Sequence, residues 1–395
     1  MGEIRFPDQA NAFRDPAPFA VSSRGQAMTF YPAGKDRREA LMELVRSAQR
    51  RLDVCFYIFA EDAVSTELRD ELCAAAKRGV AVTLIIDRFG ASASDAFLKP
   101  LADAGGRYFY FSPRIGLRYL IRNHQKMVIA DGTRALFGGF NVEDDYFAPP
   151  EVNGWNDLAI ALEGDAVAGL NDWFARLIEW TQDGRSHFRA IRRAAATWDW
   201  RSDDASVRWL VGGPTRGLSG WARCVTRDLV EGEKLDIFMA YFSPPYPLLR
   251  RIARVARKGQ ARLLMAAKSD NGATLGATRV LYQYLLKRGA KIWEFSPCKL
   301  HTKLLVLDDA VYVGSANFDM RSLYLNLEIM LRIEDAALAD RMRDFVSQHI
   351  AASEAITPEV HARRRTLFNR IRWAAGWLLV SVLDYTVTRR LNLGI

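Results

Sequence analysis

Two hydrophobic periods alternate along this chain. From Asp36 the apolar positions recur at helical spacing in RREALMELVRSAQR, change to the strand-like LDVCFYIF, return to helix in TELRDELCAAAKRG and end in a second strand, AVTLIID. Such alternation predicts an α/β architecture with mostly parallel or mixed sheets. The pattern then runs a second time. Residues 235–242, LDIFMAYF, echo residues 52–59, LDVCFYIF. Arg257-Lys258-Gly259 with ARLLM echoes Lys77-Arg78-Gly79 with VAVTLI, and Phe295-Ser296-Pro297 echoes Phe111-Ser112-Pro113. The echoes keep their order, so the chain reads as an internal duplication of about 150 residues per unit, with two similar α/β halves packed about a pseudo-twofold axis. The expected divisions are an irregular N-terminal arm rich in Pro, Asp and Asn (1–35), a first domain (36–181), a connecting segment (182–206), a second domain (207–350) and a basic, apolar tail (351–395).

One stretch in each half departs from pure apolar patterning. In residues 300–331, the segments HTKLLVLD and AVYVGSAN read as two strands of a buried sheet. Period two puts His301 and Lys303 on one face with Leu305 and Leu307, and gathers Val311, Val313, Ser315 and Asn317 on a face of the second strand. A hydroxyl and an amide are thereby expected to join an imidazole and an ammonium around one small site, a combination suited to a phosphate. Residues 123–141 repeat the arrangement with His124, Lys126, Asp131 and Asn141 at the spacing of His301, Lys303, Asp308 and Asn317. Six residues separate Asp131 from Gly138 but five separate Asp308 from Gly314, which predicts a tighter turn in the second hairpin.

Composition narrows the partners without choosing among them. With 395 residues, 49% of them hydrophobic, the chain can bury the cores of two ordinary domains. Its formal charge of +9 points to an anionic partner: nucleic acid, an acidic lipid surface or a phosphorylated substrate. Cys55, Cys73, Cys224 and Cys298 form neither a CxxC pair nor a metal-ligand pattern and read as buried, reduced thiols in a cytosolic compartment. The first residues carry no apolar signal core.

The paired motifs resemble the phospholipase D superfamily, whose signature is His-x-Lys-x4-Asp followed by Gly-Gly or Gly-Ser, x, Asn, given twice. The flanking text, including GGFNVEDDYF, WNDLAIALEGDAV, AAKSDN, YQYLLKRGAKIWEFSP and SANFDMRSLYLNLEI, is most similar to bacterial cardiolipin synthases of the short type without N-terminal membrane helices. That resemblance implies phosphatidyl transfer to a lipid hydroxyl, typically joining two phosphatidylglycerols with release of glycerol. It also implies a peripheral place on the cytoplasmic side of a bacterial membrane. Phospholipid substrates and an anionic membrane surface are then the expected partners, nucleic acid is not, and a homo-oligomer stays open. The alternative is a lipid or nucleic-acid phosphodiesterase that uses water as acceptor.

Two imidazoles, two ammonium groups and two amides suit a phosphodiester, and no metal or other cofactor need be invoked. One His attacks phosphorus to give a phosphohistidine while the other protonates the departing alkoxide; superfamily resemblance makes His124 the nucleophile and His301 the acid. Lys126 and Lys303 offset charge on the phosphoryl oxygens, Asn141 and Asn317 hold those oxygens, and Ser315 supports the phosphate. Glu328 lies 27 residues after His301, and Asp157 lies 33 after His124, the six extra falling in EDDYFAPPEVNGW. Both acids sit in apolar runs where a lone carboxylate is costly, and the resemblance assigns them to orient the His side chains. Asp131 and Asp308 fall on the opposite strand face and are expected to be structural.

Two basic segments remain. Between Pro113 and His124 the first half inserts RIGLRYLIRN, where Arg114, Arg118 and Arg122 would form one stripe at a helical period. It is either a solvated turn or an element at the edge of the cleft. In the tail, several Arg residues precede WAAGWLLVSVL, a run too short to span a bilayer and better matched to an interfacial helix than to one docked on the core.

Overall fold

The computed structural model describes residues 13–112, 121–182, 188–215 and 217–384. The first half contains strands β1 (Phe19–Ser23), β2 (Gln26–Tyr31), β3 (Arg51–Phe56), β4 (Ala81–Asp87) and β5 (Arg107–Phe111). These are followed by β6 (Met127–Ala130), β7 (Arg134–Gly138), β8 (Trp155–Asn156) and β9 (Ala159–Glu163). After the connecting segment come β10 (Trp200–Arg201), β11 (Val207–Gly212), β12 (Leu235–Met239), β13 (Phe242–Ser243), β14 (Ala261–Ala266) and β15 (Lys291–Phe295). The remainder are β16 (Lys299–Leu300), β17 (Lys303–Leu307), β18 (Ala310–Gly314), β19 (Phe318–Asp319), β20 (Glu328–Glu334) and β21 (Ser353–Ala355).

Two large sheets carry the duplication. Their orders are β1-β2-β9-β7-β6-β3-β4-β5 and β10-β11-β20-β18-β17-β12-β14-β15-β21, so the run β9-β7-β6-β3-β4-β5 is matched strand for strand by β20-β18-β17-β12-β14-β15. Of the mostly parallel and mixed sheets that the sequence allows, the structure has mixed ones. Parallel pairing is confined to β3-β4-β5 and β12-β14-β15, where helices make the crossovers, and the other pairs in both sheets are antiparallel. The reason is local: the motif hairpins β6-β7 and β17-β18 are joined by short turns, which permit only antiparallel neighbours.

Strands buried on both faces read as continuous apolar runs. In β17, Leu304 and Val306 enter a central core shared by the two sheets, whereas Leu305 and Leu307 enter an outer core beneath the helices Gly220–Glu231, Tyr246–Arg257 and Gly272–Leu286. In β3, Leu52, Val54 and Phe56 face the equivalent outer core of the first half, under Gly34–Ser47, Ala63–Lys77 and Asp95–Asp103. The helices Ala166–Gln182 and Ala336–Ala351 contribute Leu170, Trp173, Met342 and Phe345 to the central core. Five of these eight helices start at a capping side chain: Asp62, Ser94, Ser219, Asn271 and Asp335 each accept a backbone N–H of the first turn.

One expectation changes at this level. Part of the presumed irregular arm is a hairpin, β1 and β2, which adds two antiparallel strands to the edge of the first sheet. Its turn is Arg24-Gly25, with both residues at positive φ (49° and 74°), a geometry usually signalled by Asn-Gly. The tighter second turn is present: Ala130 faces Arg134 across three residues, but Leu307 faces Ala310 across two. Arg114 and Arg118 of the basic stripe lie outside the described residues, as does the end of the tail beyond 384.

Candidate active site

Both motif histidines sit just before the first strand of their hairpin, where the chain leaves the sheet and meets the other half. The backbone N–H of His124 donates to Leu327 O at 2.9 Å, and Leu327 N–H donates back to Arg122 O at 2.8 Å. On the other side, β16 pairs in parallel with β8, and the N–H of His301 donates to Asn156 O at 2.8 Å. Each histidine is thus tied to the residue immediately preceding the acid of the opposite half. The side chains follow suit. His124 Nδ1 lies 3.0 Å from Glu328 Oε2, and His301 Nδ1 lies 2.6 Å from Asp157 Oδ2. The sequence separations counted each acid from the His of its own half; the structure pairs them across the halves.

Buried acceptors of this kind fix the imidazole tautomer. With Nδ1–H donated to the carboxylate, Nε2 of each ring keeps its lone pair and faces the cleft. Burial is the largest influence on both rings: it pulls His124 down to about 4 and His301 down to about 3, with the nearby ammonium groups lowering them further and the carboxylates opposing. Burial likewise lowers Lys126 to about 7 and Lys303 to about 8. For Asp157, burial pushes upward but His301, Lys303 and Arg37 together outweigh it, leaving the carboxyl below its ordinary value.

The lysines lie beneath the floor of the cleft. Lys126 Nζ donates to the carbonyl of His124 and Lys303 Nζ to that of His301, so each ammonium braces the backbone of its own histidine. Asn141 and Asn317 are on the cleft wall. Asn141 accepts from Ile58 N–H through Oδ1 at 3.1 Å, so its amide NH2 is the side that donates, with the Tyr146 hydroxyl one of its partners.

Ser315 departs from its expected role as a phosphate ligand. Its hydroxyl donates to Glu328 Oε2 at 2.6 Å and accepts from Ile329 N–H at 3.0 Å, so it steadies the carboxylate that holds His124. The face argument fails because β18 ends at Gly314: within the strand Val311 and Val313 share the central core with Leu304 and Val306, and Ser315 and Asn317 reach the site only after the chain turns. Gly139 occupies the position equivalent to Ser315. A Cβ there would stand 2.4 Å from Asp157 Oδ1, so only glycine leaves room for that carboxylate. Asp131 and Asp308 are remote from the cleft. Both take positive φ in the hairpin turns, where Asp131 accepts N–H groups of Gln49, Arg50 and Arg51, and Asp308 those of Glu233 and Lys234.

Several contributors had no signal in the motif. Arg37, wholly buried, directs its guanidinium at the carbonyls of Pro32, Tyr146, Trp155 and Asp157, clamping the loop that carries Asp157. Tyr146, from the insertion that lengthens the first half, puts its hydroxyl 3.4 Å from His301 Nε2, and Ser322 donates to Glu328 Oε1 at 2.9 Å. Arg122, the described member of the basic stripe, lies on the cleft wall with its guanidinium 3.5 Å from the centre of the Phe89 ring. The cavity has a volume of about 560 Å³. Cys298 is fully buried in the central core, and burial pushes its thiol up to about 12.

Residues 41–178 and 229–350 match the family described as cardiolipin synthase, PLD-like domain. The chain belongs to this family. It is 28% identical over 376 residues to the major cardiolipin synthase ClsA of Bacillus subtilis, covering 92% of this chain and 77% of that one. It is also 28% identical over 354 residues to cardiolipin synthase B of Shigella flexneri, covering 87% and 85% respectively. Among solved structures, the phosphatidylserine synthase of Haemophilus influenzae superposes with a TM-score of 0.71 over 93% of this chain and 97% of that one, at 17% identity. The duplicated α/β fold is therefore that of the PLD-like transferases, and this chain is a PLD-superfamily transferase.

Proposed function

We propose that this family member makes cardiolipin from two phosphatidylglycerol molecules at an anionic membrane surface, through a phosphohistidine intermediate. The observation that carries the reading is the crossed pair of His–carboxylate contacts, which aims two Nε2 atoms into one cleft over two buried ammonium groups. His124 Nε2 attacks the phosphorus of the donor lipid. The bound phosphodiester anion and Asp157 favour the imidazolium form of His301, so as the bond from phosphorus to the glycerol headgroup breaks, glycerol leaves with the proton that His301 then carries on Nε2. In the second step the hydroxyl of another phosphatidylglycerol attacks phosphorus, His301 takes its proton, and the bond to His124 breaks. Asn141 and Asn317 hold the phosphoryl oxygens, and the ammonium groups beneath the floor offset the charge that gathers on them. The likeness to named cardiolipin synthases over most of the chain supports this choice of lipids. Purified protein incubated with phosphatidylglycerol vesicles is expected to release glycerol and cardiolipin in equal amounts. Phosphatidic acid as the main product would replace this reading with hydrolysis.

The lysine and histidine shifts carry a pH signature. Raising the pH through 7 to 8 removes the proton from Lys126 and then Lys303 in the empty cleft, so the anionic lipid meets less positive charge and kcat/KM is expected to fall on the alkaline side. Bound phosphodiester favours both ammonium forms, which moves the alkaline limb of kcat to higher pH than that of kcat/KM. On the acid side, loss is expected only near pH 4, where His124 becomes protonated. Profiles of both parameters between pH 4 and 10 check this; coincident alkaline limbs would overturn it.

A further inference from the structure

The helix Leu367–Trp377 and its continuation to Asp384 have two faces of opposite character. One is docked: Trp373 is buried with its ring stacked on His361 at 5.6 Å, and Gly376 sits so close to the helix Gly272–Leu286 that a Cβ would lie 2.6 Å from Ala273 O. The other carries Leu367, Phe368, Ile371, Leu378 and Leu379, which are between 47% and 73% exposed. At about 100° per residue, these five fall within an arc of roughly 120°, nearly opposite Trp373 and Gly376. Arg370 and Arg372 stand on the two shoulders of that arc. An apolar stripe flanked on both sides by guanidinium groups matches the boundary between acyl chains and anionic headgroups, where Arg extends outward from an immersed apolar face. Among the described residues no helix is long and apolar enough to cross a membrane.

The stripe is also continuous with the reaction cleft. Leu379 and Val380 form part of the wall of the cavity that holds His124 and His301, and Phe89, 63% exposed, stands on the same wall. We infer that the segment 367–380 lies in an anionic lipid bilayer by its outward face while its inward face, fixed on the second half, holds the open end of the cleft against that surface. Docking on the chain and contact with lipid are then two faces of one device, and lipid reaches the histidines beside Leu379 without the protein leaving the membrane. The inference rests on the lipid reading of the site, but its first readout needs no turnover.

The test replaces Leu367, Phe368 and Ile371, which touch neither the cleft nor the docked face, with Glu in the full chain. Flotation with vesicles of equal parts phosphatidylglycerol and phosphatidylcholine is expected to weaken about tenfold or more. Turnover of phosphatidylglycerol in those vesicles should fall in parallel, while turnover in detergent micelles and the melting temperature stay near those of the parent. A second variant with Ser at the same three positions should show a smaller loss of flotation in the same direction, which guards against a folding defect caused by the charges. Unchanged flotation in both variants would overturn the inference. So would unchanged flotation with a shift from dimer to monomer in sedimentation, since the stripe would then cover a second copy of the chain. Loss of flotation in a protein otherwise inactive on every lipid would support the membrane seat while removing the proposed reaction.

Discussion

Alanine at His124 or at His301 is expected to lower phosphatidyl transfer by about 10⁴-fold or more, because attack and protonation are both required and neither imidazole can reach the geometry of the other. What distinguishes the two variants is the species left behind. Without His124 no phosphatidyl adduct forms from any donor. Without His301 the nucleophile remains, held by Glu328 at 3.0 Å, and an adduct should form wherever the leaving group departs without a proton. Labelled donor lipid, an alkaline quench that preserves the P–N bond, and peptide mapping would locate the label. An adduct on His301 would exchange the two roles, and activity near that of the parent in either variant would defeat the shared-cleft mechanism.

The parts of this site that were legible in the sequence are those fixed by short spacing. His-x-Lys is local, so imidazole and ammonium could be read together, and the duplication implied one cleft from two motifs. The crossed His–acid pairs were hidden because they join positions separated by 204 and 144 residues, and nothing in either run states which partner the fold will present. Arg37 was hidden for a similar reason. Its partners are backbone carbonyls, which leave no trace in side-chain patterning. Ser315 was misplaced by carrying strand alternation one residue past Gly314, where the strand ends. The hairpin β1-β2 was passed over because Pro, Asp and Asn dominate the residues before it and its turn uses Arg-Gly. For the tail, the sequence offered docking and interface as rivals, yet the helical period allows one face for each.

Crossing also has a physical consequence for how the halves stay in register. A histidine whose orienting carboxylate lay in its own domain would keep its tautomer whatever the other domain did. Here the tautomer of each ring depends on the interface, and so do the backbone bonds His124 N–H to Leu327 O and His301 N–H to Asn156 O. The cleft is therefore competent only when both halves are seated. Arg37 and Tyr146 strengthen the dependence on the Asp157 side, where the longer loop of the first half reaches across to His301.

The crossed geometry gives a test that separates it from pairing within each half. Asp157→Asn and Glu328→Gln are each expected to cost about 10²-fold or more in turnover of phosphatidylglycerol, because the imidazole loses its charged acceptor. Changing the headgroup of the donor to 4-nitrophenol removes the need for an acid in the first step. Asp157 holds His301, the proposed acid, so Asp157→Asn should then behave like His301→Ala and release a burst of nitrophenolate equal to the enzyme concentration. It should stall afterwards, because the second step needs His301 as base. Glu328 holds His124, the proposed nucleophile, so Glu328→Gln should show no rapid burst with either donor, and neither should His124→Ala. Pairing within each half predicts the reverse, with a burst from Glu328→Gln and none from Asp157→Asn. Stopped-flow absorbance on the four variants distinguishes the two patterns, because only the identity of the His that each acid serves decides which variant is rescued.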